Sequence, residues 1–441
     1  MIRCKKSLRQ VFMTPSMKHP KEMYSLALIE MCQRFAFWGI GNLLVIYLVQ
    51  FYQFSDLKAT HLYGIFSGVA FILPLLGGYI ADKTSYKGAI IFGSLTTAAG
   101  CFFITFGVIH FLYLALALAA IGASIFTPSI YTLLGILYKD KHHLREGGFS
   151  IYYSAVNFGV FLATLTLGAI GQGGHWTFAF IIAGLVQIGG LILFLKLMKK
   201  KSFADIHAEH HLQFKASPTP LKKSEKDRII VISVLALFSI LFWMAYNQGW
   251  SSMSLFALRY TQHTVGSITL PSSLLLSLES LYLIILAYPL SQLYLWLAKR
   301  KMDPSPPTKT ALSLSSIGIC FVIMMVGARG IPEGATTASL SPFYLVYAYG
   351  FMALAEMLLA PIGLSLVTHL SPHRYTAFLV GIWYVCIGVA FYAGGLLAGL
   401  MSSMKHISNF FDIFVIASFA SAILLFFLVK RLNKMRHASK L

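Results

Sequence analysis

The chain has 441 residues, of which 57% are hydrophobic and only 11% are charged. Soluble domains carry about 25% charged residues, so this composition excludes an ordinary soluble protein and indicates one that crosses a membrane repeatedly. The formal net charge of +20 raises the question of a nucleic-acid partner. However, the Lys and Arg residues fall in alternate loops, which is the positive-inside pattern of membrane proteins. We therefore predict a multi-pass inner (plasma) membrane protein with cytoplasmic termini and no nucleic-acid partner.

Twelve stretches of the chain are apolar enough to cross a bilayer, which requires about 20 residues each. Several are longer than that, so tilted or kinked helices are expected. In chain order the predicted spans are roughly 23–50, 60–81, 89–110, 113–137, 148–170, 176–197, 229–258, 272–298, 310–328, 342–370, 376–401 and 410–429.

A long polar insert divides these spans into two sets of six. The predicted parts are a cytoplasmic N-terminal arm (1–22), a six-helix bundle (23–197), a cytoplasmic linker (198–228), a second six-helix bundle (229–429) and a cytoplasmic tail (430–441). The halves echo each other, since Pro128 in the fourth span matches Pro361 in the tenth. Weak internal symmetry of this kind predicts the all-α major facilitator fold, with 12 transmembrane helices and a substrate site at mid-membrane between the bundles.

The linker contains His207, His210 and His211 at helical spacing. Histidines three and four residues apart lie on one helical face, where a metal ion could bind. A solvated linker helix is the simpler interpretation, so no metal site is predicted.

The first span carries an acid and a base at a depth where lipid is expected. Glu30 and Arg34 are four residues apart, and a charge at bilayer depth costs roughly 2.5–3.5 kcal/mol. An i, i+4 ion pair returns only about 0.2–0.5 kcal/mol, so helix support alone does not explain them. Glu30, Gln33, Arg34 and Phe37 lie on one face of the helix. This pattern predicts a polar stripe that faces an internal cavity.

Two further acids lie within predicted spans, Glu279 in the eighth and Glu356 in the tenth. Desolvation favours the neutral form of a carboxyl group and brings its titration nearer to neutral pH. A carboxyl group that is protonated on one side of a membrane and releases its proton on the other can couple a proton gradient to solute movement. The alternative interpretation for each acid is a hydrogen-bonded structural role.

Other side chains within the spans are candidate ligand contacts. They are three amides and two aromatic residues, namely Asn157, Asn247, Gln248, Tyr153 and Trp383. Each amide is weak evidence alone, because amides often only connect helices. The sequence contains no zinc motif, phosphate-binding glycine loop or nucleophile elbow, so neither an enzyme nor a cofactor is expected.

Several longer motifs are shared with one group of transporters. Residues 30–39 resemble the pattern Glu-x-x-Glu-Arg-Phe-x-Tyr-Tyr-Gly in helix 1, and residues 77–83 resemble its loop after the second span. Residues 149–159 resemble its fifth span, and residues 356–368 resemble its tenth, which is the most specific match. Over nearly its whole length the chain resembles the proton-dependent oligopeptide transporter (POT, or PTR) family of the major facilitator superfamily. The resemblance implies proton-coupled transport of di- or tripeptides.

The departures from the family pattern come in pairs. The motif's second glutamate is Gln33 here, and the span 4 lysine that can pair with it is Thr127. Likewise, a second helix 1 arginine is Gly41, and its acidic partner in span 7 is Asn247. Losing one member of a buried ion pair costs about 3–5 kcal/mol, whereas losing both can be nearly neutral. The paired losses are therefore physically coherent.

The resemblance also implies how a substrate binds. In the family, the lysine and arginine that are missing here help to hold the carboxylate of the peptide, and the position of Glu356 receives its amino group. Glu279 stands where the family has an asparagine, also on the amino side. The predicted cavity has thus lost its carboxylate clamp and gained an acid that faces an amine.

We predict a proton-driven symporter of di- or tripeptides or of a related amine-bearing solute, working by alternating access. The alternatives are a proton-antiporting exporter of cationic compounds on the same fold and a non-transporting membrane receptor. The expected partners are the solute, protons and the bilayer, and the protein is expected to act as a monomer. The predicted proton-coupling residues are Glu30, Arg34 and Glu356, and the predicted substrate contacts are Glu279, Glu356, Asn157, Asn247, Gln248, Trp383, Tyr153, Phe37, Thr127 and Gln33.

Overall fold

The structure is a computed structural model that describes residues 19–138, 142–199, 222–265, 268–372 and 375–436. The described chain is almost entirely helical, apart from one short hairpin in which β1 (Thr264–Val265) pairs antiparallel with β2 (Ile268–Thr269). The predicted histidine cluster of the linker and most of the predicted N-terminal arm lie outside the described residues.

Within the described residues the chain forms fifteen α-helices, of which eight belong to the first half. In order they are α1 (Lys21–Gly41), α2 (Leu44–Gln50), α3 (Asp56–Ile72), α4 (Pro74–Lys83), α5 (Tyr86–Phe103), α6 (Ile109–Leu137), α7 (His142–Ile170) and α8 (Trp176–Met198). A short 3₁₀ turn, Ile104–Phe106, follows α5, and a π turn, Gly171–His175, joins α7 to α8.

The second half forms seven helices. In order they are α9 (Lys223–Tyr246), α10 (Ser252–Arg259), α11 (Ser272–Lys299), α12 (Pro306–Ala328), α13 (Phe343–Leu370), α14 (Thr376–Ala398) and α15 (Ile407–Met435). A 3₁₀ turn, Asn247–Trp250, interrupts the seventh predicted span between α9 and α10, and another, Met401–Ser403, follows α14.

The helices account for the predicted membrane spans. Within the described residues, ten helical runs are long and apolar enough to cross a membrane, or eleven if the α1–α2 pair, bent by 41°, counts as one span. One run, Gly147–Met198, has 52 residues and would be about 78 Å long, whereas the hydrocarbon core is about 30 Å thick. It is broken at Gly174, whose φ of +93° is not helical. Two crossings by this run would give the predicted total of twelve.

Each half packs as a bundle of its own. In the first half, α1 packs along α7 and α8, and α5 packs along α6. In the second half, α12 packs along α13 and α15, and α9 packs along α14. The extensive contacts between the halves are the pairs α3–α14 and α7–α11. The two bundles therefore meet through equivalent helices, the second and fifth spans against the eleventh and eighth.

Two glycine pairs allow α3 and α14 to cross in close contact. A Cβ atom added at Gly395 would lie 2.4 Å from the Cα atom of Gly64, and one added at Gly68 would lie 2.9 Å from the carbonyl oxygen of Gly388. Small residues let helix backbones approach in membranes, where packing replaces the hydrophobic effect as the main attraction between helices. This crossing holds one edge of the two bundles together.

We expect the change Gly395→Ala to destabilise the protein by about 1–3 kcal/mol, because the added methyl group overlaps the backbone of α3. The measurement is the melting temperature of the purified protein. Gly189→Ala in α8 is a matched control, because no atom lies within 4 Å of its added Cβ. Equal melting temperatures for the two variants would contradict the proposed close crossing.

Candidate functional site

Glu30 and Arg34 form an ion pair on α1 at the inner surface of the first bundle. The Arg34 Nε atom donates to Glu30 Oε1 at 2.7 Å, and the two side chains are 16% and 0% exposed. The second carboxyl oxygen, Glu30 Oε2, has no hydrogen-bond partner within the described residues. A buried acceptor without a partner is costly, so this oxygen is a position where a proton would be stabilised.

Tyrosines from three helices surround this ion pair. The hydroxyl group of Tyr131 in α6 is within hydrogen-bonding reach of Arg34, and Tyr152 in α7 is a close neighbour of Glu30. Tyr384 in α14 of the second bundle lies within range of the Arg34 charge. The guanidinium group is therefore at the interface of the two bundles rather than inside one of them.

A second acidic cluster lies on the second bundle. The Tyr246 hydroxyl, at the end of α9, is 2.8 Å from Glu279 Oε1 in α11 and 2.6 Å from Glu356 Oε2 in α13. The Ser280 hydroxyl donates to Glu279 Oε2 at 3.0 Å. Glu279 is buried, whereas Glu356 remains partly exposed. Neither carboxyl group has a Lys or Arg partner in the part of the chain that the structure describes.

The acidic cluster also reaches the first bundle. The Tyr153 hydroxyl in α7 donates to Glu356 Oε1 at 3.5 Å, a long contact that crosses the bundle interface. Asn157, one turn further along α7, donates its Nδ2 to the Tyr153 carbonyl oxygen at 3.0 Å and is buried. Asn157 therefore orients the segment next to Glu356, and no direct bond to either acid is present among the described contacts.

Aromatic rings form a layer across the interface beside these polar groups. The rings of Trp38 and Phe71 have centroids 6.3 Å apart, and those of Phe71 and Phe391 are 4.4 Å apart. The ring centroid of Phe391 is also 6.1 Å from that of Trp243 and 6.5 Å from that of Tyr246. These contacts link α1 and α3 of the first bundle to α14 and α9 of the second.

One end of the interface is closed by polar contacts between the bundles. We call it the distal end, because it holds the loops 51–55 and 171–175 and the described residues between α10 and α11, and it is opposite the end of α8 and the start of α9. Here Arg259 at the end of α10 donates to Asp56 at the start of α3 through two hydrogen bonds of 2.5 and 2.6 Å. Gln172 Nε2 donates to Ser272 Oγ at 2.6 Å, and its Oε1 accepts from the Ser273 backbone at 3.0 Å.

Comparison with known proteins identifies the architecture. The model of the POT family matches residues 87–197 and 196–416, which is well over half of the chain. The chain belongs to the POT family. The predicted family resemblance and major facilitator fold are therefore confirmed.

Relatives and solved structures match over nearly the whole chain. A peptide transporter of Yersinia enterocolitica is 27% identical and covers 86% of this chain and 88% of its own. Dipeptide and tripeptide permease A of Escherichia coli is 24% identical, covering 89% and 86%. The crystal structure of a peptide transporter POT in complex with sulfate has a TM-score of 0.85 at 22% identity, covering 95% and 96%. A POT family transporter in complex with 5-aminolevulinic acid also has a TM-score of 0.85, at 17% identity, covering 95% and 98%.

Several predicted ligand contacts in this POT family member are instead internal. Gln33 is buried and donates its Nε2 to Thr97 Oγ1 in α5 at 3.1 Å, so it faces the interior of the first bundle. The pattern on α1 was misleading because Gln33 and Arg34 are about 100° apart around the helix. Phe37 is also buried, with its ring against Phe66 at 5.4 Å. Neither side chain is placed to touch a solute in this conformation.

The two amides of the seventh span also have structural partners. Gln248 donates its Nε2 to the Gly394 carbonyl oxygen at 3.0 Å and accepts from Ser252 at 2.8 Å. Asn247 is fully buried in the 3₁₀ turn and packs against Gly394. In this conformation both amides connect α9 to α14, and their contact with a solute stays a prediction. The break in the seventh span, which the sequence pattern did not predict, explains their orientation.

Two other predicted contacts lie at the edge of the site. Trp383 in α14 is buried, and a Cβ added at Gly363 would lie only 2.4 Å from its ring. Its ring therefore packs on α13, the helix that carries Glu356. Thr127 in α6 is partly exposed and lies one turn from Tyr131, near the Arg34 end of the interface.

Tyr131 and Tyr384 are functional candidates that sequence reasoning did not place in the site. Both are tyrosines within apolar spans, a position where a hydroxyl group needs a partner. That signal exists for many of the 22 tyrosines, so it could not select these two. Their selection requires knowing which helices face each other.

The Asp56–Arg259 pair makes the closed distal end testable. Asp56 is buried and Arg259 is 30% exposed. We expect Asp56→Asn to open this end more often, because charge-assisted hydrogen bonds are worth about 1.5–3 kcal/mol and partial exposure of Arg259 reduces that value. A shift of about 1 kcal/mol changes an equilibrium about fivefold.

The measurement uses the change Ser273→Cys in a background without the native cysteines, because Ser273 is buried at the distal end. A membrane-impermeant maleimide added on that side should label this cysteine about fivefold faster when Asp56→Asn is present. Asp303→Asn is the matched control, since it breaks the ion pair with Lys309 at the other end of the bundle. Equal labelling rates in the two variants would show that the Asp56–Arg259 pair does not hold the end closed.

Proposed function

We propose that this protein is a proton-coupled secondary transporter that imports an amine-bearing solute, such as a short peptide, and binds it between the two bundles. The observation that carries the proposal is the acidic cluster formed by Glu279, Glu356 and Tyr246, which contains two carboxyl groups and no cation. Membership of the POT family supports transport as the function.

The charge balance of the interface favours a cationic group in the solute. Glu30 is balanced by Arg34 at 2.7 Å, whereas Glu279 and Glu356 have hydroxyl partners only. A charge in a low-dielectric interior is strongly disfavoured unless it is paired. A solute ammonium group would supply the missing positive charge next to Glu356, which is the partly exposed member of the cluster.

The opposite end of a peptide would have fewer partners. The family positions that hold a carboxylate are Thr127 and Gly41 in this chain, and neither carries a charge. Arg34 is the remaining cation in this region, and its Nε is already bonded to Glu30. The binding energy would thus come mainly from the amino end of the solute.

The closed distal end supports an alternating-access mechanism in an inward-facing state. The contacts of α3–α14, α7–α11 and Asp56–Arg259 close that end. Neither α6 nor α13 makes comparably extensive contact with the other bundle in the described part of the chain, which leaves the linker end as the exit. The positive-inside pattern places that end in the cytoplasm of the cell, within the inner membrane.

Competition uptake into proteoliposomes tests the solute class. Neutral dipeptides with an amidated carboxyl end should compete with the transported solute about as well as uncapped dipeptides, whereas dipeptides with an acetylated amino end should fail to compete. The reason is that the carboxylate clamp is missing while the acidic cluster is present. Strong competition by uncapped dipeptides together with none by amidated ones would overturn the proposed preference.

The role of Glu30 in coupling has a separate test. We expect Glu30→Gln to abolish uptake driven by a pH gradient but to leave counterflow exchange of the solute, because exchange requires binding and conformational change without net proton movement. Gln33→Glu is an informative control, since it restores the second glutamate of the family motif beside an intact Glu30. Gradient-driven uptake that persists in Glu30→Gln would remove this residue from coupling. Export of the solute against an inward proton gradient would favour the exporter alternative.

A further inference from the structure

The Tyr246 hydroxyl lies between two carboxyl groups, and this geometry restricts where protons can be. Its oxygen is 2.8 Å from Glu279 Oε1 and 2.6 Å from Glu356 Oε2. A tyrosine hydroxyl has one proton, so it can donate to only one of these oxygens. The other contact is a hydrogen bond only if that carboxyl group carries a proton and donates it to the tyrosine oxygen.

The surroundings offer no other way to neutralise two carboxylates. Glu279 and Glu356 are close neighbours because a carboxyl oxygen of each lies next to the same Tyr246 hydroxyl oxygen, and two like charges so close together cannot both ionise easily. The titratable groups that face them are neutral tyrosines, Tyr153 from α7, Tyr246 from α9 and Tyr349 from α13. No described Lys, Arg or His contacts the pair.

We propose that Glu279, Tyr246 and Glu356 form a proton-binding site in which the two carboxyl groups share one proton through the tyrosine hydroxyl. This site is separate from the Glu30–Arg34 pair and lies on the other bundle. The singly protonated pair carries one negative charge, which balances the single positive charge of an ammonium group. The site can therefore hold a proton and a solute amine together, as a symporter requires, and the loaded site is then neutral.

The biological role of this site rests on the proposed transport function. The test of the shared proton, however, requires neither a solute nor a measurement of transport. Infrared spectroscopy distinguishes a protonated carboxyl group by its C=O stretching band, which a carboxylate lacks. The purified wild-type protein at pH 7 should show this band, and Glu30→Gln should keep it. The double variant Glu279→Gln, Glu356→Gln should lose it, because the cluster then has no carboxyl group to hold the proton.

Two further variants separate the proposal from simple misfolding. Tyr246→Phe removes the bridging hydroxyl and should shift the frequency of the band without removing it. Glu279→Asn gives the residue that the family carries at this position and should also shift the band, because the proton is then no longer shared between two carboxyl groups, and its melting temperature should stay within the range of the other variants.

The proposal is overturned if the wild-type protein lacks the band at pH 7. It is also overturned if the band disappears in Glu30→Gln and persists in the double variant Glu279→Gln, Glu356→Gln, which would assign the proton to Glu30. An unchanged frequency in Tyr246→Phe would exclude the tyrosine bridge. Failure of solute uptake with an intact band would instead count against the proposed transport function and leave the shared proton in place.

Discussion

Placing a charge inside a membrane protein is costly, and this constraint organises the interface between the two bundles. Apart from the Asp56–Arg259 pair at the distal end, the charged groups of this interface among the described residues are Glu30, Arg34, Glu279 and Glu356, and they are accommodated in two ways. Glu30 is neutralised by Arg34 on the next turn of the same helix. Glu279 and Glu356 lack a cation among their described partners and instead converge on one hydroxyl group. The Glu30–Arg34 pair is therefore complete, whereas the Glu279–Glu356 cluster requires a positive charge or a proton from outside.

The departures from the family pattern fit this constraint. Each loss of a cation, at Thr127 and Gly41, accompanies the loss of an acid, at Gln33 and Asn247. The structure shows that the two substituted side chains turned inward. Gln33 bonds Thr97 within the first bundle, and Asn247 packs on α14. Where both partners of a pair are missing, the neutral residues Gln33 and Asn247 pack within the helical bundles. Glu279, in contrast, is an additional acid beside Glu356.

The sequence predicted the fold well because the hydrocarbon core acts on composition directly. A span must be apolar over about 20 residues, so its position is visible in the chain. The exact helix ends were less visible, since α9 begins at Lys223 and α15 continues to Met435, both beyond the predicted spans. Those extra turns lie outside the apolar spans, where polar residues carry no free-energy cost, so the hydropathy of the sequence does not show where they end.

The site was predicted only in part, and the reason is helix rotation. The sequence located the acids, because an intramembrane carboxyl group is conspicuous, and it located Arg34 and Tyr153. It did not predict the 3₁₀ turn Asn247–Trp250, in which Gln248 donates to a carbonyl oxygen of α14. Such a break depends on the hydrogen-bond partner that α14 provides, which is the Gly394 carbonyl oxygen. The local sequence does not show which helix will supply that partner.

The closed end and the acidic cluster are connected by the same helices. The α3–α14 crossing runs from the distal end past Phe71 and Phe391, and Phe391 lies next to Tyr246. The α11 helix begins at Ser272, which Gln172 holds at the distal end, and carries Glu279 two turns later. Any separation of the bundles at the distal end must therefore move Tyr246 and Glu279 relative to Tyr153 in α7.

A proton held between Glu279 and Glu356 is bound entirely by groups of the second bundle, so it would stay with that bundle during the movement. The contact from Tyr153 to Glu356, at 3.5 Å, would be the one that breaks.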